Sequence, residues 1–293
     1  MTQTFTEKWL ETVDRKNSVL CLGLDPAEAE MGRGEEGLPK GTDKLTWSLR
    51  YIEAAAPYAS AIKPNLQYWK DNLGMISVNI LTEIAHEKGL VVIDDSKLAD
   101  IGSTNDAGIY HTEVKHMDAV TLACFAGNIS EVAQQCRNRN IGGIHMCLMS
   151  NPEYKKEKNK WVEIKESAYD SQDIKIIDDI PHTRQYQQLA NDSQYFGLEG
   201  VVIGAPSKKN HITEEELKKA RQYAGSKMLV LLPGVGAQGG EADAIWKYFA
   251  KNYVVVNVGR AMMFPKGSNS TSEDHKEAAK YYQEMLNKLR TAA

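Results

Sequence analysis

Eight short runs rich in Val, Ile and Leu recur along the chain, each followed by an amphipathic stretch, and no Pro/Ser-rich linker divides them. Together they predict a single-domain (β/α)8 TIM barrel over residues 1–293. Near-continuous β-branched runs suit strands buried on both faces, and regular β-then-α alternation implies a parallel sheet. A doubly wound open sheet is the alternative use of the same elements.

The elements follow in order. MTQTFTEKWLETVDRK reads as an amphipathic helix and lacks the apolar stretch of a signal peptide. SVLCLGL (18–24) leads to a helix over 43–57, ASAIK (59–63) to 72–88, and LVVIDD (90–95) to 103–116. DAVTLA (118–123) precedes a helix over 130–139, and GIHMCLM (143–149) one over 182–193. EGVVIGA (199–205), MLVLLPG (228–234) and YVVVNVG (253–259) are the last strands, with helices over 213–223, 240–249 and 272–290. The charge-rich stretch 153–179 breaks the alternation and is expected to be a solvated excursion on the catalytic side.

Composition narrows the class. A hydrophobic share of 42% is ample for a large core, and a net charge of -4 from 39 acids and 35 bases indicates neither a nucleic-acid nor a membrane partner. No apolar run reaches the ~18 residues that span a bilayer. Cys21, Cys124, Cys136 and Cys147 include no C-x-x-C pair, which points to a reduced, cytoplasmic protein without disulfides. The seven histidines show no metal-site spacing, so no metal ligands are expected among them.

In this fold, chemistry sits where strands end and βα loops begin. The third strand ends Asp94-Asp95-Ser96-Lys97, and period-two alternation turns Asp95 and Lys97 into the barrel mouth, opposite Asp94 and Ser96. Asp100 follows in the loop. Lys63 and Asn65 share the inward parity of the second strand, and Asp25 that of the first. Alternating charges of this kind, with Asp100 included, can hold a catalytic ammonium in place. PGVGAQGG (233–240) and NVGRAMM (257–263) follow the last two strands, where such barrels grip phosphate through glycine-rich turns. Arg260 adds a forked cation there, and Gln238 a side-chain amide. Gly32-Arg33-Gly34-Glu35-Glu36-Gly37 matches G-x-G-x-x-G, but it neither follows a strand directly nor opens a helix, and its glutamates would repel a pyrophosphate.

Asp95-x-Lys97-x-x-Asp100-Ile101-x-x-Thr104 resembles the signature of orotidine 5′-monophosphate decarboxylases. Lys63-Pro64-Asn65 and MSNP (149–152) resemble the longer subgroup of that family, and the likeness covers roughly residues 18–263. The resemblance implies decarboxylation of orotidine monophosphate to UMP, the last step of de novo pyrimidine synthesis, without metal or cofactor. It implies Lys97 as proton donor to C6 of the pyrimidine, Asp95 beside the departing carboxylate, and Lys63 and Asp100 completing the network. Asp25 and Lys63 would contact the ribose, Ser150 the pyrimidine amide edge, and Gln238, Gly259 and Arg260 the phosphate, with Pro233 and Asn65 lining the site. It also implies a homodimer in which Asp100, Ile101 and Thr104 reach the neighbouring subunit's site. The same scaffold could instead carry a magnesium-dependent sugar-phosphate lyase, or a phosphate-binding barrel without chemistry.

Overall fold

The structure, a computed structural model, describes residues 2–165, 168–207, 210–235 and 242–292. Helix α1 (Phe5–Lys16) precedes strand β1 (Leu20–Leu24) and helix α2 (Lys44–Ala55). The unit repeats as β2 (Ala61–Pro64) with α3 (Gly74–Glu87), β3 (Val91–Leu98) with α4 (Gly102–Val114), and β4 (Ala119–Leu122) with α5 (Ile129–Asn138). After β5 (Gly142–Leu148) come α6 (Tyr154–Glu157), β6 (Trp161–Glu163), β7 (Lys175–Ile177) and β8 (Ile180–Arg184), then α7 (Gln185–Tyr195). The chain continues through β9 (Gly200–Ile203), α8 (Glu214–Ala224), β10 (Leu229–Leu232), α9 (Asp243–Trp246), β11 (Val254–Val258), α10 (Arg260–Met263) and α11 (Ser272–Ala292).

Strands β1, β2, β3, β4, β5, β9, β10 and β11 neighbour one another in that order, and β11 returns to β1. The pairings are parallel and the barrel is closed, so the open-sheet alternative falls. Ala-Val-Thr-Leu of β4, Gly-Val-Val-Ile of β9 and Leu-Val-Leu-Leu of β10 are buried at every residue, as strands covered on both faces must be.

Helix α1 closes one end of the barrel. Thr4 and Glu7 form a capping box at its start. Trp9 is fully buried and its indole N–H donates to Asn252 O at 2.7 Å. The Thr6 N–H donates to the Glu199 carboxylate at 2.7 Å, and Lys8 pairs with Asp118 at 2.8 Å. Asn252, Glu199 and Asp118 each lie just before a barrel strand, so α1 spans the N-terminal strand ends. The polar strand termini expected to carry function stand at the opposite end.

Two close approaches shape that functional end. A Cβ on Gly23 would lie 2.7 Å from Gly259 Cα, so the ends of β1 and β11 meet where only glycine fits. This brings the loops bearing Asp25 and Arg260 together. A Cβ on Gly204 would lie 2.7 Å from Ser150 Cβ, drawing the segments after β5 and β9 together in the same way.

The excursion after β5 carries secondary structure of its own. Much of it is folded: β6, β8 and β7 form an antiparallel sheet, and Lys158 is buried in an ion pair with Glu216 of α8 while donating to His211 O at 2.6 Å. Asp173 pairs with Lys219 at 2.7 Å and accepts the Tyr223 hydroxyl at 2.5 Å, tying the sheet to α8. Pairing of Trp161 with Arg184 and Val162 with Thr183 keeps 180–184 extended. The helix expected from 182 therefore begins at Gln185.

Candidate active site

Asp95 organises the site from β3. Its Oδ2 accepts from Lys63 of β2, and its Oδ1 accepts from Lys97 at 2.6 Å and from the Thr121 hydroxyl of β4 at 3.1 Å. Asp94, on the opposite face, accepts from Ser96 and from Thr112 of α4 at 2.8 Å. Period-two parity thus separates the two carboxylates as the sequence predicts.

The strand does not stay regular. Its register with β4 shifts between Asp94 and Leu98, and Lys97 takes a left-handed backbone with φ 53. That conformation is uncommon for a non-glycine residue. The Lys97 N–H donates to Thr121 Oγ1 at 2.9 Å, which holds the bulge. One threonine therefore fixes both the lysine's backbone and the carboxylate its ammonium meets.

Electrostatics distinguish the members. Burial alone would lower the Lys63 ammonium pKa, but the Asp95 and Asp25 carboxylates outweigh it and hold it above its ordinary value. Burial pushes Asp95 up, yet Lys63 and Lys97 hold it well below the usual carboxylate range. For Asp25, burial prevails over the pull of Lys63 and raises its pKa. Its Oδ1 is buried without a hydrogen-bond partner, although Asp25 lines the pocket.

The pocket has a volume of about 380 Å³. Lys63, Asp95, Lys97, Asp25 and Asn65 stand at one side, while Pro233, Gly259 and Arg260 line the side formed by the last two strands. Asn65 caps the short turn after β2 by accepting the Gln67 N–H at 3.2 Å. Arg260 ion-pairs with Glu36 at 2.6 Å. Gln238 falls outside the described residues. Ser150 lies packed beneath Gly204 and is not among the lining residues.

Asp100 corrects the five-member array. Its backbone is held by Asn105 and by the Asn128 amide at 3.0 Å, and its carboxylate accepts the Ile101 N–H at 2.8 Å. It is exposed and does not join Lys97 within its own chain. Ile101 and Thr104 are also exposed, at the start of α4. Arg33, Glu36, Tyr68 and Asn257 line the pocket although sequence reasoning had not nominated them. Among the described residues no group of three His, Cys, Asp or Glu side chains is arranged to hold a metal ion. No helix among them is long and apolar enough to cross a membrane.

The profile of the orotidine 5′-phosphate decarboxylase / HUMPS family matches residues 18–280. The chain belongs to this family. The orotidine 5′-phosphate decarboxylase of Bordetella avium is 27% identical over 98% of this chain and 99% of its own length. That of Halobacterium salinarum is 28% identical over 98% of this chain and all of its own. Among solved structures, Leishmania donovani OMP decarboxylase superposes with a TM-score of 0.73 at 21% identity, covering 99% of this chain and 100% of the other. The Methanocaldococcus jannaschii orotidine 5′-monophosphate decarboxylase, complexed with inhibitor BMP, gives 0.64 at 24% identity, covering 92% and 98%. These structural likenesses concern the barrel.

Proposed function

We propose that this family member decarboxylates orotidine 5′-monophosphate to UMP, the closing step of pyrimidine nucleotide synthesis, with Lys97 donating the proton to C6. The observation that carries the assignment is the pair of ammoniums on one carboxylate. Lys63 is buried to 7% side-chain exposure, whereas Lys97 retains 42% and opens toward the pocket.

The substrate carboxylate sits against Asp95. Its C6–C bond breaks, carbon dioxide leaves, and the bonding pair remains on C6. No ring position delocalises that pair, so the barrier falls only through a charge arrangement in place before the reaction. The Lys97 ammonium stabilises the developing carbanion and transfers a proton to it, giving UMP; solvent then restores the lysine. Asp25, with its unpartnered buried oxygen, accepts a ribose hydroxyl, and Lys63 supports it. Arg260 and the backbone at Gly259 take the phosphate, and the Gln238 amide is assigned to it by the family resemblance. Pro233 and Asn65 shape the walls. Phosphate binding far from C6 contributes to closing the site around the reacting ring.

A homodimer completes this reading. Leu73, Met75 and Ile76 follow β2, Ile101 follows β3, and Phe125 follows β4; these three strands are neighbours, and Phe125 is 83% exposed. Exposed apolar residues after adjacent strands suit a subunit interface. Asp100, Ile101 and Thr104 on the same rim would serve the neighbour's pocket. The free, buried cysteines suit a reducing cytoplasm, and the chain works as one catalytic domain.

The decisive assay follows the orotate absorbance of orotidine monophosphate mixed with purified protein, with and without a chelator. Turnover persisting with the chelator supports the reading; its loss would favour the magnesium-dependent alternative, and no turnover at micromolar enzyme removes it. Lys97→Ala should lower kcat by about a thousandfold or more, while the exposed Lys156→Ala stays near wild type. Equal losses in the two variants would refute the role of Lys97.

A further inference from the structure

Gly32-Arg33-Gly34-Glu35-Glu36-Gly37 is no dinucleotide fingerprint, yet it borders the pocket. Residues 28–37 leave the barrel after β1 and return at Leu38, whose N–H donates to Ala27 O at 2.8 Å. Ala27 and Leu38 are buried, so the loop is stapled at its neck. Lys44 anchors its near leg by bonding Glu28 at 2.9 Å and Tyr68 O at 2.8 Å. At the tip, Gly32 and Gly34 have φ +68 and +55 with nothing within 4 Å of their Cβ positions. The glycines flanking Arg33 therefore border open space, and the turn is held by its own backbone bonds, Gly32 N–H to Ala29 O and Glu36 N–H to Arg33 O, each at 3.1 Å.

The charges of this loop face Arg260. Glu36 pairs with Arg260, and both side chains are nearly half exposed, at 47% and 43%. Such a pair is held weakly. Glu35 tethers the loop from behind, accepting the Ser268 N–H at 3.1 Å. Arg33 lines the pocket, and among the described residues its guanidinium has no ion-pair partner. The loop thus presents one anion that is engaged and one cation that is not.

We propose that residues 32–37 form an anion-exchange clamp: Glu36 occupies Arg260 until a phosphomonoester dianion displaces it, and Arg33 then closes on that dianion as a second guanidinium. A dianion with several acceptor oxygens outcompetes one solvated carboxylate for a guanidinium fork. The clamp rests on the reading of Arg260 as the phosphate anchor. Arg33 and Glu36 become determinants of selectivity for phosphorylated over unphosphorylated ligands.

Calorimetric titration with UMP and with uridine gives the ratio of their affinities, which isolates the phosphate contribution. Arg33→Gln should reduce that ratio about tenfold through UMP alone, and Glu36→Gln should raise it severalfold. Arg260→Gln is the reference and should also reduce it. If Arg260→Gln leaves the ratio unchanged, the phosphate reading fails and takes the clamp with it. If Arg260→Gln reduces the ratio but either loop variant stays within about twofold of wild type, the clamp alone is overturned.

Discussion

Asp95 carries three side-chain hydrogen bonds on two oxygens, and Thr121 supplies the one that also grips the Lys97 backbone. Thr121→Val keeps the shape but leaves the Lys97 N–H unpaired and removes a donor from Asp95. The expected result is a loss of about 1–3 kcal/mol in unfolding free energy and roughly a tenfold fall in kcat, read by denaturant titration and by turnover. An unchanged kcat would separate the bulge from catalysis. Thr121 is invisible in the sequence because a threonine within an apolar strand resembles any strand residue. Asp25, Lys63, Asp95 and Lys97 are legible because charge at the end of a buried run is unusual and parity gives its direction. Asp100 reads as part of the array only because it follows Lys97 in the loop, and sequence proximity does not say that its carboxylate turns back on the Ile101 N–H within its own chain. Arg33 and Glu36 lie in a loop without periodicity, and only the loop's return to β1 shows what they face.

His145 joins three elements. From β5 it accepts the Cys124 N–H of the β4–α5 loop at 3.3 Å on Nε2, and its Nδ1 meets the Ser193 hydroxyl of α7 at 3.2 Å. That hydroxyl donates to Leu189 O at 2.6 Å, so Nδ1 carries the ring proton and the imidazole is neutral. Burial lowers its pKa from 6.5 to about 4. The unfolded chain therefore binds a proton between those values that the folded chain refuses, and stability falls as pH drops through that window. This contribution is full above pH 6.5 and should be about 2 kcal/mol smaller at pH 5. Melting temperatures at the two pH values should converge in His145→Gln relative to wild type; an equal drop in both would place the effect elsewhere. At this scale the barrel strands are legible because each satisfies a local rule of burial on both faces. Strand β8 is not, because it is the middle strand of its small sheet: it pairs locally with β7 across Asp178-Asp179, but also with β6, some twenty residues earlier in the chain.

At the scale of the whole molecule, the helix closing the N-terminal end and the glycine contacts at the other make one polar mouth, and the proposed dimer would set the exposed apolar residues beside it against a second copy. If Asp100 serves the neighbour's pocket, Lys97→Ala and Asp100→Asn are each inactive alone but complementary. Mixed and refolded at equal amounts, they should recover roughly a quarter of wild-type sites, because half the dimers are hybrids with one intact site. Recovery absent despite confirmed hybrid dimers would confine Asp100 to its own subunit. Closure of the barrel follows from eight repeated units, whereas the proposed dimer face rests on exposed residues that no periodic pattern records.

The left-handed backbone at Lys97 has a consequence for how this chain can change. That conformation favours glycine, while the proposed chemistry requires a long cationic side chain, so on that proposal folding and turnover rank residues differently at position 97. A population screened only for heat resistance would tend to abandon lysine there, and one screened for growth without external pyrimidine would keep it. The position is thus a built-in marker of which pressure the protein has been under.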